Sequence, residues 1–320
     1  MQLIKEKSSH WYQLKDGKCV PCHEWPKADG KGMKPTTLRE AKLFRLLCSV
    51  TNVIDGVIAK PELINWRITQ GIMAALTLPK ISGESEDAFA ERVVEDMNAY
   101  PAEAADFGTQ CHDHIAEYIT NGEVLLTEPE PFTRSAREWV SQNVTKIHGA
   151  EMTVFHPELC IAGRLDLDCD TRRYGRTIID FKSQKVRKQK DGTWKPTFYD
   201  EYPVQLAAYG ECVRRSWGPD IPVLGVGAFI SDLPTLISIV INSVEPTECF
   251  VQVYESGEYY LRLFKHALDW WCYKKGYDPR TGKAPEVNIS DGSNTVKLLT
   301  QSIAIEEMKA QRKGMEKAGT

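Results

Sequence analysis

The chain has 320 residues, of which 42% are hydrophobic and 26% charged, and a formal net charge of −4. That length suits one large domain or a domain with appendages, and the composition is that of a globular chain. The acidic balance argues against a protein that coats nucleic acid through bulk positive charge, but leaves room for a local basic groove. Residues Met1 to Ser9 lack the apolar stretch of a signal peptide, and no apolar run approaches membrane-spanning length. An intracellular, cytoplasmic protein is therefore expected. Nine cysteines, an odd number scattered along the chain, fit a reducing compartment better than a disulfide framework.

The predicted elements begin with a hairpin from Trp11 to Val20, then a Gly/Lys/Pro-rich stretch from Lys27 to Pro35. Thr36 or Thr37 is a helix cap for a segment running through Glu40, Leu43 and Leu47, and Pro61 opens a second helix to Leu76. The acidic stretch Ser82 to Pro101 is expected to carry an exposed helix. Residues 105–120 and 131–147 read as helices, followed by strands at Glu151 to His156, Cys160 to Asp168 and Arg176 to Lys182. Pro203 begins a helix that ends near Gly218, and Val223 to Ile230 and Leu236 to Ile241 are further strands. Leu261, Phe264, Leu268 and Trp271 mark one face of a long helix. Gly276 to Ser293 reads as a linker, with a mixed-charge helix or frayed tail beyond it. The order helix, three strands, helix, strand predicts an α/β fold with a mixed central sheet flanked by helices. The expected division is 1–100 as a mainly helical N-terminal addition, 101–275 as the core and 276–320 as linker and tail.

The segment from Ala162 to Lys185 holds two strand-like runs around a turn-rich centre, Thr171 to Gly175. Folded as an antiparallel hairpin about Arg173, it pairs Asp170 with Arg176, Asp168 with Ile178, and Asp166 with Asp180. Alternation then sets Arg164, Asp166, Asp180 and Lys182 on one face and Leu165, Leu167, Ile179 and Phe181 on the other. Two carboxylates opposite one another repel in a plain sheet. A divalent cation turns that repulsion into attraction, and carboxylate oxygens are what Mg²⁺ prefers. The same pattern also suits a solvated hairpin with surface ion pairs, and a one-residue bulge would undo the register.

Four motifs in order carry a resemblance: Gly108-Thr-Gln-Cys-His112, Gly163-x-x-Asp166, Asp180-x-Lys182 and Gln205-x-x-x-Tyr209. Together they resemble the RecB-like branch of the PD-(D/E)xK nuclease superfamily, over roughly residues 105–245. The segment from Ser49-Val-Thr to Lys60-Pro-Glu-Leu and Trp66 is similar to the N-terminal part of phage-type and mitochondrial genome maintenance exonucleases. The resemblance implies a restriction-endonuclease-like core and a metal-dependent DNA nuclease, an exonuclease on single strands or DNA ends. It implies one or two Mg²⁺ or Mn²⁺ ions held by His112, Asp166, Asp180 and the carbonyl of Phe181, with Lys182 catalytic. Gln205 and Tyr209 would shape the site or touch the DNA backbone. A bacterial or phage role in recombination, repair or replication follows by analogy. The motifs serve endonucleases as well, and a nucleic-acid-binding protein on a retired nuclease fold is the other class.

Read as residues alone, His112 suits a satisfied helix histidine, and Gln205 with Tyr209, spaced i, i+4, suits core packing. His114 rivals His112 but faces elsewhere on a helix. Glu151 could support the site, although an exposed strand-end acid is the plainer reading. Beyond the second acid, Lys185, Arg187, Lys188, Lys190 and Lys195 stand against Asp191 alone and run into Trp194, Phe198 and Tyr199. Cations interleaved with rings suit a flexible single strand, with cations on its phosphates and rings stacking on its bases. The alternative is a solvated hairpin loop with Asp191-Gly192 at its tip. Cys19-Val-Pro-Cys22-His23 matches a c-type haem attachment pattern without an export signal, and only His10 stands near for a zinc knuckle. Cys249 and Cys272 stand alone, so no Fe–S cluster is expected. No phosphate-binding Walker loop appears.

Overall fold

The Asp16-Gly17 turn joins β1 (Trp11–Lys15) to β2 (Lys18–Pro21), the hairpin expected from the sequence. The computed structural model describes residues 9–27, 30–122, 127, 129–216 and 233–285, with the backbone alone for 99–102. Strands β3 (Glu24–Pro26) and β4 (Met33–Pro35) form a separate two-stranded ribbon. Thr37 caps α1 (Leu38–Phe44) in a capping box with Glu40. This helix stops short of Leu47, where the sequence had it continue. Arg45 takes a left-handed conformation, φ 53°, and turns its N–H back to the Ala41 carbonyl. Leu47, Cys48 and Ser49 are then free to pair as β5 (Leu47–Ser49), a strand the sequence pattern did not reveal because all three are buried and none alternates.

Ser49 ends that strand by accepting the Asn52 amide at 2.9 Å, which starts α2 (Val50–Val57). Helix α3 (Pro61–Thr77) opens on its proline as expected. The acidic stretch and the helix after it are one element, α4 (Glu86–Asn121), running through Pro101. A proline inside a helix costs about 3 kcal/mol. Packing along both halves of α4 offsets that cost: Gly71 of α3 lies against Met97, and Phe107 meets Phe132 edge-on at 5.2 Å.

The chain continues through α5 (Glu130–Asn143), β6 (Val144–His156), β7 (Ile161–Thr171) and β8 (Gly175–Gln184). A small ribbon of β9 (Arg187–Lys188) and β10 (Trp194–Lys195) precedes α6 (Glu201–Ser216). Strands β11 (Thr235–Asn242) and β12 (Phe250–Tyr254) and helix α7 (Gly257–Lys275) follow. Among the described residues the main sheet has eight strands in the order β12-β11-β8-β7-β5-β1-β2, with β6 also paired to β7. It is mixed: β8 runs parallel to β11 and β5 parallel to β7, while β6–β7 and β7–β8 are antiparallel. Residues 1–100 thus supply three strands to the main sheet, β1, β2 and β5, in addition to helices.

Two apolar clusters cover the two faces of the sheet. One joins Leu165, Ile178 and Leu236 to Val53 of α2, Leu206 of α6, and Phe264 and Trp271 of α7. The other joins Leu167, Ile179 and Ile239 to Cys111 and Ile115 of α4 and Ala136 and Val140 of α5. Helix α7 buries Leu261, Phe264, Leu268 and Trp271, the face its spacing predicts. Past α7, the buried Tyr277 donates its hydroxyl to the carbonyls of Ala41 and Leu46 at 3.0 and 3.3 Å, which ties this part of the expected linker to the core. The expected strand Val223 to Ile230 and the tail beyond Pro285 lie outside the described residues. Among the described residues no helix is long and apolar enough to cross a membrane.

Candidate active site

Among the described residues strand β7 has three partners. β6 accompanies one side of it from Ile161 to Thr171. The other side is shared: β5 pairs with Ile161 and Ala162, and β8 pairs from Leu167 onward. Gly163 to Asp166 are left with no strand on that side among the described residues, so the sheet splits there. Helix α6 leans into the split. A Cβ placed on Gly163 would lie 2.6 Å from Tyr209 Cε1, so only glycine admits the buried Tyr209 ring. One turn earlier, Gln205 donates to Asp180 Oδ1 at 3.2 Å and is hydrogen-bonded to Tyr209.

The expected hairpin register is present at Asp170↔Arg176 and Asp168↔Ile178, but the ladder ends at Leu167↔Ile179, one step short of the two acids. Beyond it β8 leaves β7, and the Phe181 amide is donated to Asp166 Oδ2 at 2.8 Å. A carboxylate thereby spans the gap. In extended backbone a residue's N–H and C=O point to the same edge, so the Phe181 carbonyl faces the same gap. The expected apolar face is corrected here. Leu167, Ile179 and Phe181 do share a cluster, but Leu165 packs with Ile178 on the α6 side. Simple alternation fails where one strand of the hairpin departs.

Asp166 is also approached from α4. A Cβ on Gly108 would lie 2.8 Å from Ser183 Oγ, a closeness that brings the next turn of α4 to the split. There His112 Nδ1 lies 3.3 Å from Asp166 Oδ2 and 3.8 Å from Glu151 Oε1. His112, Glu151 and Asp166 each offer one ligand atom, all within 4.8 Å of one another. Burial disfavours the charged imidazole, yet the Asp166 and Glu151 carboxylates outweigh it and raise the His112 pKa to about 10. Burial likewise opposes the Asp166 charge, and His112, Lys182 and the Phe181 amide more than offset this, holding the carboxyl below its ordinary range.

Asp180 sits on the α6 side of the same split, 2% exposed. Lys182 Nζ lies 2.8 Å from its Oδ2 and 3.0 Å from its Oδ1. Burial and the charge of Asp166 push the Asp180 carboxyl up against the opposing pull of Lys182. Burial would lower Lys182, and Asp180 with Asp166 raises it instead, so the ammonium stays charged. Asp180 is engaged by Lys182 and Gln205, and it is Glu151 that completes the close group with His112 and Asp166.

Glu151 is the residue that the sequence reading undervalued. It is no exposed strand end. β6 begins at Val144, Glu151 is half-buried, and it stands opposite Asp166 between the pairs Ala150↔Leu167 and Met152↔Leu165. A register shift between Ile147 and Gly149 and a φ of 48° at Glu151 itself re-aim its side chain, as bulges do. Its Oε2 is 2.7 Å from Arg164 Nε. Counting outward from the turn between His156 and Ile161 would have paired it with Asp166 from sequence alone. His114, the rival of His112, is buried and bonds Thr133 Oγ1 at 2.8 Å, pinning α4 to α5.

The basic segment after β8 is the β9–β10 ribbon. Gln184 anchors its base by exchanging two 2.8 Å hydrogen bonds with the main chain of Thr197. Lys185, Arg187, Lys188, Lys190 and Lys195 are all exposed, and Lys188 lies over the Trp194 ring at 4.8 Å and 3.8 Å from Glu245. Tyr199 meets Tyr202 edge-on at 5.5 Å, and Tyr202 carries Lys182 Nζ 5.4 Å from its ring centre. Tyr199 and Tyr202 thus adjoin the Lys182 end of the acidic group, and Lys188 with Trp194 forms a separate cation–ring pair on the ribbon. No protein-family model matches the chain, and no curated protein matches it.

Proposed function

We propose that the protein is a divalent-metal-dependent nuclease that hydrolyses phosphodiester bonds of DNA, with single strands or DNA ends as substrate. The observation that carries this reading is the split between β7 and β8, where Asp166, Asp180, His112, Glu151 and Lys182 converge from four elements. Three acids gathered at a sheet discontinuity are costly to bury even beside His112, Arg164 and Lys182, and groups perturbed in this way cluster at functional sites. Their donor set, one imidazole and carboxylate oxygens beside a carbonyl, fits Mg²⁺ or Mn²⁺. His112, Glu151, Asp166 and the Phe181 carbonyl would hold the ion, with Asp180 bordering it. A bound ion supplies an activated water and neutralises charge on the phosphate.

The remaining work belongs to the chain itself. Asp180 and Gln205 fix the Lys182 ammonium beside the acids, where it offsets charge developing on phosphate oxygens. Tyr202 presents its ring face 5.4 Å from that ammonium. The exposed cations of the β9–β10 ribbon draw the strand in, and Trp194 offers a base a stacking face. The mixed sheet with helices on both faces, together with the order of the four motifs, supports a restriction-endonuclease-like core.

Incubation with end-labelled single- and double-stranded DNA tests the reading. Cleavage is expected with Mg²⁺ or Mn²⁺ and is expected to vanish with chelator and in Asp180→Asn. Cleavage by Asp180→Ala at the parent rate would overturn it, and binding without cleavage would favour a non-catalytic protein. Comparing linear with circular substrates separates exonuclease from endonuclease action.

A further inference from the structure

Helix α3 turns an aliphatic side to solvent. It packs on α4 along the side that holds Gly71 and the buried Ala74. On the opposite side Ile64, Ile68, Ile72, Met73 and Leu76 are between 50% and 76% exposed. A surface helix ordinarily shows water charged and polar groups there. The charged residues of α3 are Glu62, in its first turn, and Arg67, which stands one heptad from Ala74 and so on the α4 side. From Ile64 to Leu76 the outer side thus carries no charge.

The surroundings of this strip narrow its partner. Along α4, Glu86, Asp87, Glu91, Glu95 and Asp96 are exposed, and Arg92 is bound to Glu84 at 2.7 Å. Their field repels nucleic acid, and a helix that lies on a lipid surface carries Lys and Arg on its polar face. Met97 faces α3, so Glu95, two residues before it, lies on the far side of α4 and does not come between two copies of the strip. Ile64, Ile68, Ile72 and Leu76, four residues apart, form one ridge about 18 Å long. Small residues flank it, Asn65 and Thr69 on one side and Ala75 on the other. A ridge beside shallow grooves is complementary to itself. About a two-fold axis each ridge enters the other's groove, in the packing class where helices cross at about −50°. The five apolar side chains expose on the order of 500 Å² per copy, and Asn65, Thr69 and Ala75 add to it, against about 800 Å² per partner in a standard interface.

We propose that the chain forms a two-fold dimer through the outer side of α3, with Ile68 and Ile72 of each copy at its centre. The dimer goes beyond the nuclease reading, since no residue of the ridge belongs to the acidic group. Helix α4 both supports α3 and carries His112, so pairing through α3 fixes two acidic groups in one particle.

Sedimentation velocity of the full chain, without DNA or metal, tests this. At micromolar concentration a particle of twice the 36.2 kDa chain mass is expected. Ile68→Glu with Ile72→Glu is expected to raise the dissociation constant about a hundredfold or more while keeping the parent's circular dichroism, because four carboxylates would enter an apolar contact. Benzoylphenylalanine in place of Asn65, in a mixture of isotopically light and heavy chains, gives a readout that leaves the ridge intact. Light–heavy adducts are expected between residues 61 and 77. A monomeric parent would assign the strip to a different protein and overturn the proposal. A dimer equally tight in the double variant, or adducts confined to other segments, would overturn it as well. Asp180→Asn is expected to dimerise as the parent does whether or not the parent cleaves DNA, so the dimer and the nuclease reading fail separately.

Discussion

The β7–β8 split and the β9–β10 ribbon adjoin in sequence and oppose each other in every physical respect. In the split, acids and their partners are largely buried, and each is held by a named neighbour: Asp166 by His112 and Phe181, Asp180 by Lys182 and Gln205, Glu151 by Arg164. In the ribbon, five cations stand exposed, and among the described residues Lys188 alone is drawn toward an acid, Glu245. Low dielectric makes each buried contact strong and each loss specific, whereas exposed charges act through a screened, nearly additive field. The first region is therefore expected to respond to single substitutions and the second only to several.

Glu151→Gln should have the largest effect that leaves the chain folded. Mn²⁺ affinity by calorimetry is expected to fall about 10–100-fold, the range seen when groups supporting a metal are altered. Parent-like affinity would return Glu151 to the role of a surface acid and break the contrast. Gly163→Ala comes next. Its Cβ would meet Tyr209 at 2.6 Å, and overpacking of this kind costs about 1–3 kcal/mol, read as a lower denaturant midpoint. An unchanged midpoint would show that Tyr209 moves freely and that the split is not rigidly held.

The ribbon should yield less per residue. Lys190→Ala with Lys195→Ala is expected to reduce the slope of log affinity against log salt by roughly 0.7 per lost phosphate contact on single strands, with the thermal midpoint unchanged. A slope equal to the parent's would remove the ribbon from the DNA path. The smallest effect concerns Glu40, which lies far from both regions. Hydrogen bonds from Lys34, then from Thr37, hold its carboxyl down to about 2, from the ordinary 4.5. A depressed carboxyl stabilises the fold above 4.5 and ceases to do so as pH falls through 2. The difference in thermal midpoint between parent and Glu40→Gln should thus be constant near neutrality and shrink in acid. A difference that grew in acid would contradict the assignment.

Much of this was legible in the sequence because it is local. Thr37 and Pro61 marked helix starts, the four apolar positions of α7 marked its buried face, and symmetry about Arg173 gave the outer register of the β7–β8 hairpin. What escaped depends on tertiary pairing. β5 is a three-residue strand that exists through its partners β1 and β7. Leu165 changes faces because β8 departs from β7, and no spacing along one strand records when its neighbour leaves. Glu151 is the exception: counting back from the β6–β7 turn pairs it with Asp166, but it was read as the strand's end, whereas β6 begins seven residues upstream of it. The motif residues were found as a set, but their division into an Asp166 group and an Asp180 group required the split itself.

The Phe181 amide bound to Asp166 has a consequence for anyone who probes this carboxylate by substitution. Asp166 takes the place of a missing strand at the open seam of the sheet, so its removal subtracts a hydrogen-bond acceptor as well as a charge. An alanine there would leave a buried N–H unsatisfied, a defect worth about 1–3 kcal/mol. Asparagine keeps an oxygen for Phe181 while discarding the charge. The two replacements thus separate what this residue contributes to holding the seam closed from what its charge contributes at its centre.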